Sequence, residues 1–176
     1  MPFALAASAL LAPVAAQQSS VVVDRIVAVV GERLVLQSDL DLEQALSPLE
    51  DSPVAALMGP SADPLQVVID RAIIRGLAGN AAIYVPSDTD VRDRVTTIRS
   101  HFADDTAWNA FLLVHGLDAD RLASLLYSRL VVDRYIERNL QQAERGAAAY
   151  AEWISHHRAR VPIRLVPAID DMVPGR

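Results

Sequence analysis

Apolar and polar positions follow two rhythms along the chain, first a strand-like alternation and then a helical spacing. From residue 21 the sequence VVVDRIVAVVGERLVLQSDL sets two β-branched runs either side of Gly31-Glu32. A two-residue turn between such runs predicts a β-hairpin, with strands over about 22–30 and 33–37. Ser38 then opens an S-x-x-D pattern with Asp41, so its hydroxyl is expected to cap a short helix reaching about residue 46. The acids there would face the positive end of the helix dipole. Residues 47–64 carry four prolines, Gly59 and several acids, the composition of a surface loop.

After Pro64, which suits a first helical position, the spacing changes to threes and fours. Leu65, Val68, Ile69, Ala72, Ile73 and Leu77 predict one broad buried stripe. Pro86-Ser87-Asp88 starts a third helix to about residue 102, and a fourth over about 106–115 stops at Gly116, a residue suited to a left-handed C-terminal cap. Asp118 opens the longest helix, DADRLASLLYSRLVVDRYIERNLQQ, with Leu122, Leu125, Leu126, Val132, Ile136 and Leu140 on its inner stripe. A last helix over about 146–160 precedes VPIRLVP, where Val161, Ile163 and Leu165 alternate with Pro162, Arg164 and Val166, as in a half-buried strand. Pro162 and Pro167 cannot donate hydrogen bonds, which places that strand at a sheet edge. A lone hairpin is only marginally stable in water. The closing strand is therefore expected to return to it and complete a three-stranded sheet. The predicted fold is mainly α, a multi-helix core with a small antiparallel β-sheet made from an N-terminal hairpin and a C-terminal strand.

At 176 residues and 52% hydrophobic content the chain has enough apolar material for one packed domain, placed over residues 20–170. A net charge of −6 and pI near 5.1 argue against nucleic acid or anionic lipid as partners. There is no cysteine, which excludes disulfides, thiolate metal sites and cysteine nucleophiles. All 16 basic residues are Arg, so no Schiff-base or P-loop lysine exists. The opening MPFALAASALLAPVAAQQSS has small residues Val14 and Ala16 before Gln17, the pattern of a signal peptide over residues 1–16 that is cleaved on export. No Arg or Lys precedes its apolar run, so the alternatives are a true start that lies upstream and an uncleaved leader serving as a membrane anchor. The run is shorter than the ~20 residues of a spanning helix, and no later run approaches that length.

Candidate chemistry is sparse. Asp39/Asp41 and Asp88/Asp90 stand two apart at predicted helix starts, a spacing that points them to different sides and suits capping better than a shared proton or metal. Glu50, Asp51 and Asp63 lack the calcium-loop pattern and read as a solvated face. His101, His115, His156 and His157 form no H-E-x-x-H pair, and no G-x-S-x-G elbow accompanies the serines. Arg129 and Asp133, at i and i+4 beside the inner stripe, predict an ion pair that fixes the docking of the long helix, with a solvated pair at the edge of the stripe or a direct client contact as the alternatives. Trp108 and Trp153 are expected to pack in the core. No catalytic residue, cofactor or metal site is predicted, and the sequence leaves client-binding residues unassigned.

Two parts of the chain, the first carried by two segments, resemble the SurA-type periplasmic chaperones. VVDRIVAVVGERLVLQSDL and HGLDADRLASLLYSRLVVDRYIERNL are similar to the family's N-terminal module, and AEWISHHRARVPIRLV looks like its C-terminal helix and strand. Together they cover most of residues 21–167. The resemblance implies a core that binds unfolded, aromatic-rich outer-membrane polypeptides. The family's parvulin isomerase domains would lie between the two parts, where only a few residues separate the helices, so the resemblance carries no prolyl isomerase activity. The expected function is that of a non-enzymatic periplasmic chaperone; the alternative is a dedicated assembly or structural partner of one envelope protein, or of a second copy. HGLDADRL also resembles a helix-turn-helix joint, but the helix that follows has balanced charge and the leader signals export.

Overall fold

A computed structural model describes residues 24–50, 57, 63–140 and 146–167. The leader over 1–16, the start of the first expected strand, Asp51 and the last positions of the long helical segment lie outside these residues. Strands β1 (Ile26–Val30) and β2 (Arg33–Leu36) pair antiparallel, with Val30 opposite Arg33. Gly31 supplies the φ of +60° at the first turn position, a conformation other residues rarely adopt. A bulge between Ile26 and Ala28 turns both Val27 and Ala28 into the core. Strand β3 (Ile163–Leu165) adds to the other side of β1, giving the order β2-β1-β3. Gly31 N–H donates to the Pro162 carbonyl at 2.9 Å, and Val166 N–H donates to the Val27 carbonyl at 2.9 Å. The prolines therefore sit on an edge strand, as expected. The buried face of β3 is shorter than the alternation suggests: Val161 and Ile163 pack against the core while Leu165 is 58% exposed.

Helix α1 (Gln37–Leu46) follows β2 directly, and its cap differs from the expected one. Ser38 does not cap it. Asp24, ahead of β1, accepts from Ser38 N–H at 3.2 Å and from the Ser38 hydroxyl, while Leu36 N–H donates to the Asp39 carboxylate at 2.9 Å. The other starts agree with local sequence. Asp63 accepts from Leu65 N–H to begin α2 (Pro64–Ala78), Ser87 and Asp90 cap α3 (Asp88–Arg99) reciprocally, and Asp104 caps α4 (Asp105–Val114). Gly116, at φ +61°, ends that turn, and Asp118 caps α5 (Ala119–Asn139). Helix α6 (Ala147–Arg158) leads into β3.

The expected stripe of α2 is buried or half-buried from Leu65 to Ile73, and the buried face is wider than that stripe. Val67, Asp70, Arg71 and Ile74 are buried and Leu77 is 39% exposed, because α2 packs at once on α1, α5, α6 and the sheet. Two apolar clusters result. One gathers the sheet, α2, α6 and the C-terminal half of α5 around Ala28, Val35, Ile74 and Val132; the other gathers α1, α3, α4 and the N-terminal half of α5 around Leu46, Ile98 and Leu126. Helix α5 runs through both. No helix among the described residues is long and apolar enough to cross a membrane.

Candidate functional site

The same-face spacing of three helices builds the polar centre of the molecule. Asp39, Leu42 and Glu43 on α1, Val68, Arg71 and Ala72 on α2, and Leu125, Ser128, Arg129 and Val132 on α5 recur at three and four residues and line one inner pocket of about 60 Å³. Arg129 donates through Nη2 to Glu43 Oε2 at 2.7 Å and through Nη1 to Glu50 Oε2 at 2.8 Å. Arg71 reaches the same two oxygens at 3.3 and 3.4 Å. All four side chains are at least nine-tenths buried, so two guanidinium groups and two carboxylates form a neutral box inside the fold. Pairing offsets the cost of desolvating each charge, and the planar fork of Arg suits bridging two carboxylates. The box is not fully satisfied: Arg71 Nη1, Arg129 Nε and Glu43 Oε1 have no hydrogen-bond partner among the described residues.

Beside the box lies an open groove of about 520 Å³ between the hairpin turn and the second half of α2. Val30, Ala72, Ile73, Leu77 and Val161 supply its apolar lining, with Gly76 on the α2 side. A Cβ built on Gly76 would meet no atom within 4 Å, so no packing requirement explains a residue that costs about 1 kcal/mol relative to Ala inside a helix. Its effect is to leave the α2 backbone bare in the groove. Arg33 and Ala72 line both the groove and the inner pocket, so the two are neighbours there.

The chain matches no family model and no curated protein.

Several residues singled out in the sequence take other places. Arg129 and Asp133 do not make the expected pair: Arg129 turns to Glu43 and Glu50, and Asp133 is bridged by Arg94 of α3 at 3.1 Å. The long helix is thus fixed by ion pairs, but to three other elements. Glu50, expected on a solvated face, is buried in the box, whereas Asp63 is an exposed cap. Asp39, Asp88 and Asp90 lie in first helical turns, and Asp41 accepts from Gln37. Hydrogen bonds from Ser87 hold the Asp90 carboxyl below its ordinary value. Trp108 is buried with Phe102 and Phe111, and Trp153 packs half-buried against Tyr135, Tyr150 and His157. His157 is held below its usual range by burial first and by His156 and Arg160 next. Among the described residues no group of three His, Asp or Glu could hold a metal ion.

A further buried acid had no signal in the sequence. Asp70 of α2 accepts from Arg158 Nε at 2.6 Å and from the Tyr150 hydroxyl at 3.3 Å, tying α2 to α6. Burial raises the Asp70 carboxyl above its ordinary value despite both bonds, and burial also raises the Tyr150 hydroxyl.

Proposed function

We propose that this chain is a SurA-like, non-enzymatic binding domain of the periplasm that shields apolar segments of unfolded exported polypeptides. The observation that carries the reading is the open apolar groove between the hairpin and α2, whose floor is left bare at Gly76. A groove of several hundred Å³ with a mainly apolar lining is the form in which proteins hold ligands of this kind. The resemblance of residues 21–167 to the SurA core supports the same class of client, and the short link between α5 and α6 supports binding without isomerisation. In the test, the purified chain at stoichiometric amounts is mixed with an unfolded outer-membrane polypeptide as denaturant is diluted. Light scattering should fall with added protein, and a proline-limited refolding phase of a reporter should keep its rate. Unchanged scattering at tenfold excess, or catalytic acceleration of the proline phase, would overturn the proposal.

A dedicated partner is the second reading, and one observation favours it. Leu113 and Val114 at the end of α4 are 81% and 78% exposed, away from the groove lining. A fixed envelope partner or a second copy would cover them. Sedimentation at micromolar concentration tests the second copy, which a monomer removes from consideration.

A further inference from the structure

We propose that the outer edge of β3 takes an extended segment of a partner polypeptide as a fourth, antiparallel strand, with an acidic residue opposite Arg164 between two apolar ones. Neither Arg164 nor Leu165 lines the groove, so this surface is separate from the one proposed above. Strand β3 ends the sheet order β2-β1-β3, and among the described residues no strand pairs with its other side. Gly31 N–H donates to the Pro162 carbonyl, Val166 N–H donates to the Val27 carbonyl, and Val29 lies opposite Arg164 in the same register. In an antiparallel ladder every second residue turns its backbone groups to a given neighbour. Pro162, Arg164 and Val166 therefore face β1, while Ile163 and Leu165 turn their N–H and C=O groups outward. Arg164, Leu165 and Val166 are all exposed along that edge.

The edge has a fixed length. Val161 N–H is already given to the Arg158 carbonyl, and Pro167, the next outward residue, has no N–H. The donors and acceptors of Ile163 and Leu165 remain, which suits a short paired stretch held by main-chain bonds and selected by its side chains. Charge selects the middle residue. The position opposite Arg164 is a non-hydrogen-bonded pair, the kind that brings side chains closer. Arg164 has no carboxylate partner among the described residues, and its cross-strand neighbours Val29 and Leu34 are apolar. Residues 153–167 hold three arginines and no acid, and only Arg158 has a carboxylate partner among the described residues, although the chain carries a net charge of −6. An Asp or Glu in the added strand would complete a cross-strand ion pair, and the apolar residues beside it would cover Leu165, which is 58% exposed. A second copy fits worse. The register that uses both outward N–H groups of each copy sets Arg164 opposite its own counterpart, and like charges directly opposite are destabilising.

The test uses the full chain labelled with ¹⁵N and three blocked peptides, N-acetyl-Thr-Val-X-Val-Thr-N-methylamide, with X as Glu, Gln or Lys. Backbone amide signals give both the affinity and the place of binding. The Glu peptide should bind about threefold tighter than the Gln peptide and about tenfold tighter than the Lys peptide. It should shift the amides of Ile163 and Leu165 more than those of Arg164 and Val166, which already face β1. Arg164→Glu should reverse the order of the Glu and Lys peptides. Leu165→Pro removes one outward N–H, spares the bonds of Arg164 and Val166 to β1, and should lose the binding. Equal affinities for the three peptides, or no binding by any of them at millimolar concentration, would overturn the proposal. Shifts at Gly31 and Gly76 with Ile163 and Leu165 unmoved would overturn it and leave the groove reading standing. Shifts at Ile163 and Leu165 that follow protein concentration without peptide would assign the edge to a second copy, and slow exchange of both amides in the free monomer would assign it to the chain itself; each result would overturn the partner strand.

Discussion

Arg129 reaches two carboxylates from two different elements, and its loss would strand both Glu43 and Glu50 with only Arg71 at 3.3 and 3.4 Å. Removing one partner of a buried charge group is costly because the remaining charge keeps its desolvation penalty. Arg129→Met is therefore expected to lower stability by about 3–5 kcal/mol in urea unfolding. Replacing all four box residues with apolar side chains of similar volume should cost much less, and a larger loss for the fourfold variant would contradict this account. Asp70 gives the pH dependence. Its carboxyl is raised above 3.8 by burial, so the folded chain holds that proton to a higher pH than the unfolded chain does. The stability this provides is complete below the unfolded value and is lost as pH rises through the folded one. Wild-type stability relative to Asp70→Asn should fall as pH increases from below 3.8 toward neutrality, and a relative stability that rises over that window would contradict the assignment. Of these residues only Arg129 was legible as inward-facing, from its place beside Leu126 and Val132. Glu50 follows Ser47-Pro48-Leu49 with no periodicity to mark it, and its burial depends on an arginine 79 residues away.

At the scale of elements, the local signals were read well and the distant ones were not. The caps at Asp63, Ser87 and Asp118 and the glycine at 116 are set by neighbours within a few residues. The start of α1 is not, because its acceptor Asp24 lies 14 residues upstream on the far side of the hairpin. The buried face of α2 was read too narrowly for a related reason, since a helix packed on several sides buries more than one stripe. Strand β3 was legible from alternation and its prolines, and it makes a prediction. Truncation after Arg160 removes the Pro162 carbonyl that Gly31 N–H uses and uncovers one side of β1. Only Val161 and Ile163 leave the core, so the apolar loss should be about 1–3 kcal/mol. Amide-exchange protection at Gly31 and along β1 should drop, with aggregation from the bared edge. Unchanged protection and an unchanged melting midpoint would show that β3 contributes nothing to the sheet.

In the molecule as a whole, α5 joins two apolar clusters, and the charge box sits where α1, α2 and α5 meet. Composition and charge already argued against nucleic acid, but the groove was not legible. It arises between the hairpin turn and α2, two segments about 45 residues apart whose juxtaposition only the tertiary fold creates. Gly76 reads as a helix-weakening residue in the sequence and acquires its meaning from that open space. The most direct test of the central claim fills the groove without disturbing the core. Gly76→Leu adds a side chain where a Cβ meets nothing within 4 Å, and Leu113→Ser removes an exposed aliphatic on α4 as a control. Binding of a fluorescently labelled unfolded outer-membrane polypeptide is measured by anisotropy for both variants, with melting midpoints checked. Gly76→Leu should bind at least tenfold more weakly than wild type at a melting midpoint no lower than that of wild type, and Leu113→Ser should bind as wild type does. Wild-type affinity in Gly76→Leu would contradict the groove as the binding site.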